Sequence, residues 1–277
     1  MTDVTDATQP RPLDEARVDA YLARIGAGRP EKPDLDALRL LQERHCLTVP
    51  FENLDYHLDT DIHMDERAVE KVVDRRRGGG CYEVNPAFAL LLRSLGYAVE
   101  ILPGQVYRPE GPGPFLGHLA LRVRVDEVDW LVDVGFGRNS RRPLRFDVTG
   151  PQEDPHGTYE VRPNEESGGH EVHLNGKPLY RVGERPVRVA DFAPTLWWWR
   201  TAPESPFLQD LFCSLPTEDG GRITLKGDRL TVVTPEGRGT EELPDEESVL
   251  AAYREHFGIV LGRLPKDPSG SARIQLS

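Results

Sequence analysis

The chain has 277 residues, with 34 Lys plus Arg against 46 Asp plus Glu and a formal net charge of −12. That balance excludes a general affinity for nucleic acid or anionic membranes, so an anionic ligand would need a local basic patch. The length allows about two domains and a sizeable core without disulfide staples. Three widely separated cysteines, Cys46, Cys81 and Cys213, do not form a secreted disulfide framework and point to a reducing compartment. The opening MTDVTDATQPRP lacks the apolar core of a signal peptide. No stretch approaches the roughly 18 apolar residues of a spanning helix. The expectation is a soluble, cytoplasmic protein.

Taken in chain order, Val18, Tyr21, Leu22 and Ile25 recur at helical spacing, and Asp34 stands as an N-cap before Leu35, Leu38 and Leu41. The stretch RGGGCYEVN (Arg77 to Asn85) runs three glycines straight into a cysteine. Glycines in that position allow positive φ, or let another molecule approach the backbone. Phe88, Leu91, Leu92 and Leu95 continue at helical spacing to a stop at Gly96. A thiol near such a helix start gains thiolate character from the dipole and the free N–H groups. Pro86 leaves two starts open: Asn85 as cap with Pro86 at the first position, or Cys81 with the proline inside. Cys46 and Cys213 lack this setting and read as small buried hydrophobes.

From Val99 to about Val189 the pattern alternates with turn clusters, which predicts antiparallel strands. Beyond Trp197-Trp198-Trp199 come short strands (GRITLKGDRLTVV) and one helix (DEESVLAAYREHFG). The expected division is a helical domain over 1–97 carrying Cys81, a β domain over 98–195, and a mixed α/β domain over 196–277.

The segment His118 to Gly135 predicts a hairpin. If Asp126-Glu127 form a two-residue turn, Val125 faces Val128, Val123 faces Trp130, Leu121 faces Val132 and Leu119 faces Val134, an entirely apolar face. On the other face Arg124 meets Asp129, Ala120 meets Asp133 and His118 meets Gly135. A one-residue slip destroys both patterns. His118 and Asp133 then stand diagonally on one face, about 7–8 Å apart at the backbone, where the carboxylate can accept from the imidazole. A longer loop stays open, because Asp-Glu lacks the Asn-Gly character preferred in such turns. A nucleophilic cysteine needs a base oriented by a third group, and this hairpin supplies both.

RGGGCYEVN, GHLAL and WLVDVGFG resemble, in the same order, the Cys, His and Asp motifs of the arylamine N-acetyltransferases. HCLTVPFENLD (His45 to Asp55) and TAPESPFLQDLFCSLPTEDG (Thr201 to Gly220) resemble further segments of that family, so the likeness covers about residues 20 to 230. It implies an α+β fold with an N-terminal helical domain, a central antiparallel β-barrel, a C-terminal α/β lid and a Cys-His-Asp triad of Cys81, His118 and Asp133. It implies acetyl-CoA as acyl donor, an aromatic amine or hydrazine as acceptor, and a ping-pong cycle through acetylated Cys81. Donor contacts would come from Gly135, Phe136, Gly137, Arg138, Thr201 and Ser205. The run Arg138, Arg141, Arg142 and Arg145 offers phosphate contacts or a solvated surface. Arg77 and Glu83 would brace the glycine turn, Tyr82 and Asn85 are read as structural, and the tryptophan run as packing between lid and barrel. Paired Cys or His ligands at short spacing are missing, so no metal is expected. Leu196, Arg200 and Pro86 depart from the family pattern and leave donor and acceptor preference open. The alternatives are an amide synthase that releases a carrier-bound acyl chain as a lactam, or a hydrolase or transglutaminase with the same triad.

Overall fold

The structure, a computed structural model, describes residues 11–58, 60–164 and 168–265. Helices come first: α1 (Glu15–Ile25), α2 (Leu35–Thr48), α3 (Leu54–His57), α4 (Glu66–Val73) and α5 (Cys81–Ser94), with the two-residue strand β1 (Phe51–Glu52) between α2 and α3. Local chemistry sets their ends. The Asp34 carboxylate accepts the Ala37 N–H at 2.9 Å, as its place before the apolar pattern predicts. The residue after α1 is Gly26 in the left-handed region, φ 66, where a side chain would be strained.

Strands follow: β2 (Ala98–Arg108), β3 (Gly111–Pro112), β4 (His118–Val125), β5 (Val128–Val132), β6 (Leu144–Arg145), β7 (Gln152–Asp154), β8 (Gly157–Pro163), β9 (His170–Leu174) and β10 (Lys177–Val182). They form one antiparallel sheet in the order β6-β5-β4-β2-β10-β9-β8-β7, with β3 added to β2. Contact between β6 and β8 nearly closes it into a barrel. A single 3-10 turn (Val189–Phe192) leads into α6 (Ala193–Thr201), which carries the tryptophan run, and then α7 (Pro206–Gln209). The C-terminal sheet comprises β11 (Phe212–Pro216), β12 (Arg222–Lys226), β13 (Arg229–Thr234) and β14 (Gly237–Glu242), backed by α8 (Glu246–Phe257). The helical region donates β1 to this sheet: Phe51 pairs with Ser214 and Glu52 with Cys213. The α+β architecture expected from the sequence is present. Among the described residues no helix is long and apolar enough to cross a membrane.

The hairpin adopts the expected register, with Val125 opposite Val128, Arg124 opposite Asp129, Val123 opposite Trp130 and Leu121 opposite Val132. Asp126 and Glu127 take φ 48 and 60, so the two-residue turn forms with positive φ at both positions. Three apolar clusters result. One packs α1, α2, α4 and α5 against the apolar face of the hairpin; the second lies between the C-terminal sheet and α8. The third fills the barrel interior, where Ala120 and Leu131 meet Leu102 and Tyr180. Both faces of β4 are therefore buried at its start, and the start of β4 is His118. Helix α5 anchors the first cluster through Phe88, Leu91 and Leu92, all fully buried. Each such side chain contributes about 1.5–3 kcal/mol.

Candidate active site

Helix α5 begins at Cys81 with Gly80 as its cap, so Pro86 lies inside the helix and the start at Asn85 is not the one adopted. Glu83 reaches back one turn, where its carboxylate accepts the Gly80 N–H at 3.2 Å. None of Gly78, Gly79 and Gly80 has positive φ. Two of them instead admit the chain's own neighbours. A Cβ on Gly78 would lie 1.7 Å from the Pro50 carbonyl oxygen, and one on Gly79 would lie 2.5 Å from the Glu83 carboxylate. The expectation of positive φ is corrected accordingly, while Gly80, whose Cβ would meet only the Phe207 ring at 3.7 Å, is not crowded in this way.

Beneath this turn lies a buried ionic cluster. Arg77 donates to Glu52 at 2.8 Å and to Asp55 at 2.9 Å, while Lys71 meets Glu83 at 2.6 Å and Asp55 at 2.8 Å. Burial works against the charges on Lys71 and Arg77, but the carboxylates outweigh it and hold both above their ordinary values. Burial raises Glu83 to about 7; Lys71 opposes this, and Glu52 and Asp55 add to it. Arg77 and Glu83 thus brace the turn from opposite sides of a cluster of three carboxylates and two cations, rather than by pairing with each other.

His118 opens β4 and Asp133 follows the last residue of β5. Their side chains are both 2% exposed, with Nε2 2.8 Å from Oδ2. The other carboxylate oxygen accepts from Asn85 Nδ2 at 2.9 Å and from the Gly135 N–H at 2.8 Å. Asn85 also accepts the Val134 N–H at 2.9 Å and donates to the Leu119 carbonyl at 2.6 Å. Asn85 lies one helical turn beyond Cys81 and on the same face of α5. One helix thereby carries both the thiol and the amide that orients the aspartate.

With Nε2 committed to Asp133, Nδ1 is the ring nitrogen left for Cys81, which lines the same cavity as His118. Burial opposes a charge on His118, yet the Asp133 carboxylate and the Cys81 sulfur outweigh it and raise the imidazole to about 10. Burial likewise opposes the Asp133 charge, and His118, Asn85 and the Gly135 N–H overcome it and hold the carboxyl below its ordinary value. Tyr180 and Phe136 fix the imidazole plane, with centroids 4.7 and 5.4 Å from it. Cys46 and Cys213 are buried, and burial pushes both thiols far up, which agrees with their reading as inert.

Cys81, His118, Gly135 and Phe136 line a cavity of about 260 Å³. Phe51, Trp199, Phe207 and Phe212 form aromatic walls, and Arg108 and Arg138 bring charge. Of the six residues expected to contact the donor, Gly135, Phe136 and Arg138 line this cavity. Gly137, at φ 84, packs on the Phe51 ring, which a Cβ would approach to 2.8 Å. Thr201 Oγ1 donates to the Trp197 carbonyl at 2.8 Å, and Ser205 is fully buried with no hydrogen-bond partner for its hydroxyl among the described residues. Neither lines the cavity. A Cβ on Gly135 would lie 2.6 Å from Cys81 Cα, so this glycine lets the strand end touch the helix start.

The arginine run divides. Arg141 is buried on Glu43 at 2.7 Å, Arg145 pairs with Asp147 at 2.6 Å, and Arg138 alone of the four lines the cavity. The tryptophan run divides too: Trp197 is 68% exposed, whereas Trp199 is buried and donates to the Tyr82 hydroxyl at 3.3 Å. Sequence reasoning did not find Asn85 or Arg108 as parts of the site. The helical spacing from Cys81 could have singled out Asn85; nothing marks Arg108, which ends a long strand.

Helices leading into a nearly closed barrel and a C-terminal sheet, with a thiol, imidazole and carboxylate in series where they meet, form the frame of an N-acetyltransferase. A sequence model of that family, described as N-acetyltransferase, matches residues 34–265. The chain belongs to the arylamine N-acetyltransferase family. It is 33% identical over 246 residues to the arylamine N-acetyltransferase of Escherichia coli, covering 86% of this chain and 87% of that one. The solved Salmonella typhimurium arylamine N-acetyltransferase superimposes with a TM-score of 0.84 at 28% identity, covering 94% of this chain and 98% of that one. The Mycobacterium marinum enzyme, solved in complex with CoA, gives 0.80 at 31% identity over 87% of this chain and 92% of that one.

Proposed function

We propose that the protein transfers an acetyl group from acetyl-CoA to an aromatic amine or hydrazine through a thioester on Cys81. The carrying observation is that buried His118, held by the Asp133 carboxylate at 2.8 Å, lines one cavity with Cys81. The CoA bound to the Mycobacterium marinum relative supports the donor. Three free cysteines and the absence of a spanning helix among the described residues support a reducing, cytoplasmic setting.

In the first half-reaction His118 takes the thiol proton, and Cys81 Sγ attacks the thioester carbonyl. The N–H groups of Cys81 and Tyr82, in the first turn of α5, have no intrahelical acceptor and supply donors for the developing oxyanion. Collapse breaks the carbon–sulfur bond to CoA, and the imidazolium returns its proton to the departing thiolate. In the second half-reaction the amine attacks acetyl-Cys81, His118 accepts the amine proton, and Cys81 leaves as thiolate. Asp133 holds the tautomer and offsets the imidazolium charge throughout. A thioester-to-thiol exchange is nearly balanced in energy, so an ionised nucleophile and an oxyanion site suffice. The aromatic walls give a flat amine its apolar contacts.

Two-substrate kinetics tests this. Parallel double-reciprocal lines are expected, together with complete loss of transfer in Cys81→Ser, whose alcohol is the weaker nucleophile. Intersecting lines, or transfer that survives in Cys81→Ser, would overturn the covalent route.

A further inference from the structure

We infer that Arg108 selects acceptors whose aromatic ring carries an anionic group, a carboxylate placed across the ring from the amine. The inference deepens the acyl-transfer reading above and rests on it.

Arg108 is the last residue of β2, half-buried, with its guanidinium carbon 5.5 Å from the centroid of the Trp199 ring. Among the described residues it has neither an ion pair nor a hydrogen-bond acceptor. Other arginines whose side chains hold neither a carboxylate nor a hydrogen-bond acceptor among the described residues, such as Arg142, Arg185 and Arg238, are exposed, whereas Arg108 is half-buried. The same guanidinium lines the cavity that holds Cys81 and His118, and among the described residues no carboxylate lines it. Besides His118 and Cys81 of the reacting centre, the ionisable groups lining this space among the described residues are two arginines, Arg108 and Arg138.

A guanidinium laid against an indole face is weakly hydrated and keeps its planar fork of donors free, which suits a carboxylate engaged by two parallel hydrogen bonds. The low-dielectric aromatic surroundings strengthen that contact relative to water. Donor phosphates answer the geometry less well. They are separated from the thioester by the whole pantetheine arm, and the cavity of about 260 Å³ is smaller than the roughly 300–1,000 Å³ of sites for drug-sized ligands. When the acetyl carbon is at Cys81, the phosphates lie outside it. The molecule that shares the cavity with Arg108 after CoA departs is the acceptor. A benzoate-type amine presents its nitrogen to acetyl-Cys81 and His118, its ring to Trp199 and Phe207, and its carboxylate to Arg108. Arg138 differs in being exposed on the loop after Gly137, open to the solvent side.

The test compares 4-aminobenzoate with neutral 4-aminobenzamide in the parent, Arg108→Met and Arg108→Lys. Each is assayed with acetyl-CoA and with 4-nitrophenyl acetate, a donor without phosphates. The intrinsic nucleophilicities of the two amines differ, but that difference cancels when their ratio of kcat/KM is compared between proteins. Arg108→Met should lower the ratio of benzoate to benzamide about tenfold or more with either donor, and Arg108→Lys should retain part of it. In the parent, KM for 4-aminobenzoate should rise with salt while KM for 4-aminobenzamide stays flat. An unchanged ratio in Arg108→Met, or a loss seen only with acetyl-CoA, would overturn the inference and in the latter case assign Arg108 to the donor phosphates. Failure of acetyl-CoA to acetylate Cys81 in the parent would be a different result, one that removes the acyl-transfer reading itself.

Discussion

Asn85 holds Asp133: its amide nitrogen donates to Oδ1 at 2.9 Å while His118 occupies Oδ2 at 2.8 Å. Because Asn85 stands on the same face of α5 as Cys81, any movement of the helix start would carry the thiol and the aspartate's brace together.

Asp133→Asn should keep the fold, select the wrong imidazole tautomer and slow Cys81 acetylation by about 10³–10⁴-fold in single-turnover assays. Asp129→Asn is the control. Its partner Arg124 is 3.7 Å away and both side chains are partly exposed, so the rate should stay within about twofold. Asn85→Ala should fall between the two in rate. It should also lose roughly 1–3 kcal/mol of stability, because it leaves buried groups of Asp133, Val134 and Leu119 short of partners. A crippled Asp129 variant beside a competent Asp133 variant would refute the site geometry.

The glycines give a graded prediction. Gly78→Ala would drive a Cβ into the Pro50 carbonyl, and Gly135→Ala one into Cys81 Cα, backbone contacts that no rotamer relieves. Both should unfold at lower urea, by about 1–3 kcal/mol or more. A Cβ on Gly80 meets only the Phe207 ring at 3.7 Å, so Gly80→Ala should be tolerated. Equal sensitivity at all three positions would mean that the glycines serve something other than close approach.

The hairpin that brings His118 to Asp133 was legible in the sequence, because apolar alternation on one face and the Arg124–Asp129 pair on the other leave a single register. Asp-Glu lacks the residues that favour positive φ, yet eight facing apolar side chains outweigh the local preference of two. The pairing of Phe51 and Glu52 with β11 was not legible, since two residues carry no period and the partner lies far along the chain. The glycine run signalled a special backbone but not which neighbour needed the space. Asn85 was visible as a polar residue one turn from Cys81; its partner became visible only once the end of β5 was placed against α5. Arg108 carries no signal at all, because its cavity is assembled from segments of all three regions.

The cluster under the turn separates the effects of charge and cap. Lys71→Met leaves Glu52, Asp55 and Glu83 facing Arg77 alone and should cost about 3–5 kcal/mol in urea titrations. Glu83→Gln keeps an acceptor for the Gly80 N–H and removes one of three crowded carboxylates, so its cost should stay below about 1 kcal/mol. The reverse order would show that the ion pair, rather than the cluster's balance, supports the turn.

His118 supplies a pH signature. Its value in the fold, about 10, lies above the ordinary 6.5. The protonated ring's contribution to stability is therefore complete below about 6.5 and disappears as pH rises through about 10. The stability difference between the parent and His118→Asn should shrink across that window. A difference that grows with pH would contradict the raised titration.

The central claim is that Cys81 carries the acetyl group between donor and acceptor. The protein is mixed with acetyl-CoA in the absence of any amine, quenched in acid, weighed intact, and digested to locate the modification. The account predicts a mass increase of one acetyl group, confined to the peptide containing Cys81 and discharged when an arylamine is added. No mass increase, or an acetyl group on Cys46 or Cys213, would contradict it.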